Sequence, residues 1–110
     1  MRGYTIKPIH LPPDSWRETR LEDERVVEFW QTFDLQPAEV CIRYWLHLDK
    51  LPDEAVITLN GRTVATAQGG RPFAADVTDY VWLEANSLLV HVPPAGWSGR
   101  AWLQPVPCEV

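Results

Sequence analysis

The chain has 110 residues, enough for one domain with a single core and too few for two. Its net charge is −5 and no basic run occurs, which argues against a phosphate-backbone partner and leaves no expectation of nucleic-acid binding. No apolar stretch reaches membrane-spanning length, and the start MRGYTIKPIH lacks a signal-peptide hydrophobic core, so a cytoplasmic protein without a membrane partner is expected.

Taken in chain order, Tyr4 to Ile9 reads as an edge strand closed by Pro12-Pro13. The charged stretch WRETRLEDER then fits a short helix capped by Asp14 or Ser15, and fits a solvated loop equally well. From residue 26 the pattern changes to a two-residue period. Val27, Phe29, Phe33 and Leu35 share one face with Gln31 as the exception, while Glu28, Trp30 and Thr32 share the other. Val40, Ile42, Tyr44, Leu46 and Leu48 alternate with Cys41, Arg43, Trp45, His47 and Asp49. Such alternation sends one face into a core and the other outward.

Ile57 and Leu59 continue the period up to Asn60-Gly61, a dipeptide that tolerates the positive φ angles of a tight type I′ hairpin. Gly69-Gly70 and Pro72 mark the next break, followed by Phe73, Ala75 and Val77, and later by Leu88, Val90 and Val92. At least six short strands separated by turn signals predict an all-β fold, an antiparallel β-sandwich occupying residues 1–110 as a single domain.

The chemistry-bearing residues are sparse. His10, His47 and His91 share no ligand spacing, so no metal site and no cofactor are expected. Glu22-Asp23-Glu24 and Asp53-Glu54 lie in polar connections and read as solvated charge. Gly69-Gly70-Arg71 lacks the following helix that an anion loop requires and reads as a turn. Cys41 and Cys108 form no metal-spaced pair. A disulfide between them requires the tail to fold back, and a reducing compartment favours two free thiols.

The outward residues are richer. If their strands share a sheet, Trp30 and Trp45 form an exposed aromatic platform edged by Arg43 and His47, and such a patch marks a contact surface. Trp82 reads as a core or loop plug, Trp16 as a pin for the amino-terminal segment, and Trp102 is ambiguous as to face.

Several motifs occur in one order: EFWQTFDL, VCIRYWLHLDKLPDEAVITLNG, Gly69-Gly70-Arg71-Pro72-Phe73, Asp76-Val77-Thr78, Asn86 ahead of SLLVHV, and GRAWLQPV. This ordered set, covering residues 26 to 106, resembles the amino-terminal galactose-binding-like jelly-roll domain of family 2 glycoside hydrolases, which include β-galactosidases, β-glucuronidases and β-mannosidases. Gln31 stands where that family commonly has a basic residue, and Ala85 where a Gly-Glu pair is usual.

The resemblance implies a non-catalytic carbohydrate-binding domain, because the paired glutamates of hydrolysis come in that family from a separate barrel for which this chain has no room. Candidate sugar contacts are then Trp97 on the loop PPAGWSGR, Arg71, Asp76, Trp30 and Trp45. For Trp97 the alternative is a loop anchor tucked into the sandwich end. For Asp76 it is a strand-end role in which Asp76 and Thr78 bond backbone amides. A different functional class uses Trp30, Arg43, Trp45 and His47 as an interface for a second copy or another protein, with no sugar bound. A third possibility is one subunit of a split glycosidase.

Overall fold

The computed structural model describes residues 9–11, 16–21, 26–36, 40–67, 72–92, 97 and 99–108. Nine strands make up the described elements: β1 (Ile9–Leu11), β2 (Arg17–Leu21), β3 (Val26–Phe33), β4 (Ile42–Leu48), β5 (Val56–Leu59), β6 (Arg62–Thr66), β7 (Phe73–Asp76), β8 (Asn86–Val92) and β9 (Ala101–Pro107). They form a four-stranded sheet in the order β1-β9-β4-β7 and a five-stranded sheet in the order β2-β3-β8-β5-β6. Every pairing is antiparallel. The β-sandwich read from the alternation is the fold.

Each long strand contributes one face to a shared core. Leu46 and Leu48 of β4 and Ala101 and Leu103 of β9 meet Val27, Ile57, Leu59, Leu88, Val90 and Val92 from the other sheet, and all are buried. A slip of one residue in β4 or β8 would turn the whole buried set toward water, so burial fixes the register. Gln31, the polar exception on the inward face of β3, is buried with that face.

The turn between β5 and β6 is built as its dipeptide predicts, with φ of 53° at Asn60 and 80° at Gly61. Ala85 also holds a positive φ of 58°, and its N–H donates to Asp34 Oδ1 at 2.8 Å. Glycine takes this conformation without a Cβ penalty, and here an alanine holds it.

Two expectations are corrected here. The stretch read as helix or loop contains β2, whose residues Arg17 to Leu21 pair with Trp30 to Val26. The free edge of β3 offers a row of backbone donors and acceptors, and satisfying them outweighs local propensity. The cysteines are also not free thiols. The β4–β9 register sets Ile42 opposite Pro107, so one step further Cys41 faces Cys108, and the two form a disulfide with Cα atoms 5.3 Å apart. The Cys108 N–H donates to the Cys41 carbonyl at 3.0 Å. The Tyr4 to Pro8 part of the expected edge strand lies outside the described residues, and Ile9–Leu11 forms the edge.

Candidate functional site

The outward alternation of β4 places Arg43, Trp45 and His47 on the outer face of the four-stranded sheet. β9 adds Trp102, Gln104 and Val106, β7 adds Ala74 and Asp76, and β1 adds His10. Pairing sets these residues in rows. Gln104, Trp45 and Asp76 lie side by side, and the neighbouring row runs His10, Trp102, His47, Ala74. The His47 and Trp102 rings stack with centroids 5.0 Å apart and planes 2° from parallel. Trp45 is 38% exposed, unusual for a tryptophan in the middle of a sheet.

Asp76 anchors the rim of this face. Its Oδ2 accepts from Arg43 Nε at 2.6 Å, and its Oδ1 accepts from the Thr78 N–H at 3.0 Å and the Thr78 hydroxyl at 2.5 Å. The Thr78 oxygen in turn accepts from the Tyr44 N–H at 2.9 Å. The clip carries the strand end of β7 back onto β4, which is the strand-end role weighed for Asp76. The Arg43 hydrogen bond lowers the Asp76 pKa to about 2; burial opposes this and the Thr78 bonds reinforce it.

A pH dependence follows. The folded-state pKa is depressed below the ordinary 3.8, so the unfolded chain binds the proton more readily. The stabilisation is complete above pH about 4 and is lost as pH falls through about 2. In acid unfolding titrations the Asp76→Asn variant should lose that part of the wild-type slope. An unchanged slope between these pH values would remove Asp76 as its source.

The structure separates the residues expected to form one platform. Trp30 belongs to β3 in the five-stranded sheet and Trp45 to β4 in the four-stranded sheet, so they occupy opposite outer faces. Alternation had placed each on an outward face without saying which sheet. Trp30 instead has the Arg17 guanidinium 5.2 Å from its ring centroid and lies near the Glu28–His91 pair, whose Oε2 and Nε2 are 2.7 Å apart.

Trp97 also departs from its expected sugar-stacking role. It is only 9% exposed, its indole N–H donates to the Asp49 carbonyl at 2.7 Å, and Trp16 and Phe29 meet it edge-on at 5.2 and 5.8 Å. It is the loop anchor, and it leaves no open ring face for a sugar. Gly99 completes the anchor, since a Cβ there would run into the Asp49 carbonyl and the Trp97 indole nitrogen.

Trp82 is 58% exposed and the adjacent Leu83 55%, so Trp82 does not plug the core. Its main chain is held instead, with its N–H and carbonyl both bonded to the Asn86 side chain. Arg71 lies outside the described residues. Trp102, Gln104 and His10 are the face residues that sequence reasoning missed. The alternation in AWLQPV carried the signal for the first two, because Ala101, Leu103 and Pro105 are the buried set of β9.

No family model and no curated protein matches this sequence. Among solved structures the chain is similar to the FMN-binding β-glucuronidase from Facaelibacterium prausnitzii L2-6, with a TM-score of 0.75 and 19% identity. The match covers 92% of this chain and 22% of that one. The two share a fold: this chain has the architecture of one β-sandwich portion of a much longer glycosidase. No helix among the described residues is long and apolar enough to cross a membrane.

Proposed function

We propose that this chain is a non-catalytic carbohydrate-binding domain of the kind found in family 2 glycoside hydrolases, with its ligand on the outer face of the four-stranded sheet around Trp45. The observation that carries this reading is the row Gln104–Trp45–Asp76. An exposed indole there offers a surface for the apolar C–H face of a sugar, between an amide and a carboxylate able to meet its hydroxyls. Arg43 adds a guanidinium with four further N–H donors beyond the one bonded to Asp76. The fold likeness to part of a β-glucuronidase agrees with such a role, although fold alone does not assign one.

The state of Asp76 does not suit the general-acid part in hydrolysis. Glycoside hydrolysis uses a carboxylic acid that stays protonated until it donates to the leaving oxygen, paired with a second carboxylate. Asp76, with its pKa lowered to about 2 by Arg43, is ionised and does not match that protonated acid. The disulfide belongs to an oxidising environment and favours an extracytoplasmic setting over the cytoplasmic one expected from the sequence.

Isothermal titration with a panel of mono- and oligosaccharides tests this reading. Saturable binding that Trp45→Ala weakens by at least roughly tenfold, about 1.4 kcal/mol, is the expected result. Binding unchanged in Trp45→Ala would move the site elsewhere, and no binding at millimolar sugar would end the reading.

A protein contact is the second reading, and a separate surface favours it. Trp82 and Leu83, adjacent on the β7–β8 connection, are both exposed. Aromatic and aliphatic exposure of this kind characterises contact surfaces. Sedimentation over a dilution series separates this reading from the first, because an assembly held by this surface dissociates on dilution and in Trp82→Ala.

A further inference from the structure

We infer that the ligand of the Trp45 face is a neutral oligosaccharide lying across two rows of the sheet, not a monosaccharide and not an acidic glycan. This rests on the carbohydrate-binding reading and adds chain length and charge to it.

The length argument comes from register. Trp45 pairs with Gln104 and His47 pairs with Trp102, so Trp45 and Trp102 are diagonal neighbours on adjacent strands, about 7 Å apart. The second station is the His47–Trp102 stack, two residues further along each strand. Ala74, opposite His47 on the edge strand β7, is small and exposed, so the row beside His47 is open toward the sheet edge. A single sugar ring covers one of these stations. A chain of rings running along β4 meets both, with the Asp76–Arg43 pair at one end and the imidazole of His47 at the other.

The charge argument comes from pairing. The permanent cations in register on this face each stand opposite a carboxylate: Asp76 holds Arg43 at 2.6 Å, and Asp49, which continues the outward set of β4, lies opposite Arg100. The whole chain carries −5, so a polyanionic glycan approaches against the protein's overall field. Amide, imidazole, indole and a neutralised ion pair suit hydroxyl-rich, uncharged sugars.

The test is calorimetric titration of the full chain with ladders of glucose-, galactose-, mannose- and xylose-based oligomers from one to six residues, beside oligogalacturonides of equal length. At least one neutral ladder should gain roughly tenfold or more in affinity between monosaccharide and tetramer, and Trp102→Ala should remove that gain. His47→Ala should do the same, and it keeps the test standing if Trp102→Ala fails to fold. Equal affinity at every length, a gain surviving both variants, or tighter binding of the acidic ladder would overturn the inference and leave the carbohydrate-binding reading intact. No binding by any ladder would remove both.

Discussion

Asn86→Ala is expected to lower the unfolding free energy by about 4 kcal/mol, read as a shifted midpoint in urea with little change in slope. The reason is the position of this side chain, fully buried between three segments. Its Oδ1 accepts from Asn60 Nδ2 at 2.9 Å and from the Trp82 N–H at 2.7 Å. Its Nδ2 donates to the Phe33 carbonyl at 3.3 Å and the Trp82 carbonyl at 2.7 Å. Asn60 extends the network, because its Nδ2 also reaches the Tyr80 carbonyl and its Oδ1 accepts from the Ser87 N–H. Four bonds at about 1 kcal/mol each give the figure, and the stranded backbone groups keep it from being smaller. Asn86→Asp separates hydrogen bonding from volume. It preserves size but loses both donors and buries a charge beside a carbonyl, so it should be as damaging as alanine. A nearly neutral Asn86→Asp would show that Asn86 acts only by filling space.

The second large effect is at the disulfide. Converting both Cys41 and Cys108 to serine, or reducing the wild type, is expected to cost about 4 kcal/mol. The bond closes a loop with a sequence separation of 67 residues, and chain entropy assigns about that much to a loop of this length. In a domain of this size the melting temperature should fall by about 15 °C. Thermal unfolding with and without dithiothreitol checks it, with the double serine variant indifferent to reductant. A wild-type melting temperature that reductant leaves unmoved would contradict the bond. The effect reaches the candidate site, because the disulfide ties the ends of β4 and β9, the strands that carry Arg43, Trp45 and Gln104.

These residues show where the sequence is legible and where it is not. The alternation of β3, β4 and β8 is readable because each strand has one buried face, and a two-residue period with one apolar phase has a single interpretation. Asn60-Gly61 is readable because few dipeptides accept two positive φ angles in succession. By contrast, WRETRL carries no apolar phase of its own, and it becomes a strand because β3 offers it an edge. That is a non-local fact.

The misread site residues follow the same division. Alternation says that Trp30 and Trp45 both point outward, yet sheet membership depends on which strands pair, and β3 and β4 fall in different sheets. Trp97 sits in a Gly/Pro-rich loop whose composition suggests exposure. Gly99 instead packs directly against Asp49, and the Trp97 ring turns inward onto Trp16 and Phe29. The disulfide was within reach. Once GRAWLQPV is a closing strand antiparallel to β4, a register that pairs Leu46 with Leu103 also pairs Cys41 with Cys108. Spacing alone did not supply that register.

The most direct test of the carbohydrate-binding face is a sugar titration followed through the assigned indole N–H signals of the tryptophans in two-dimensional NMR. Neutral oligosaccharides should shift the signals of Trp45 and Trp102 saturably, while Trp97, bonded to Asp49, and Trp30, on the opposite face, stay in place. Still signals at Trp45 and Trp102 across the whole panel would contradict the account, as would shifts confined to Trp30 or Trp97.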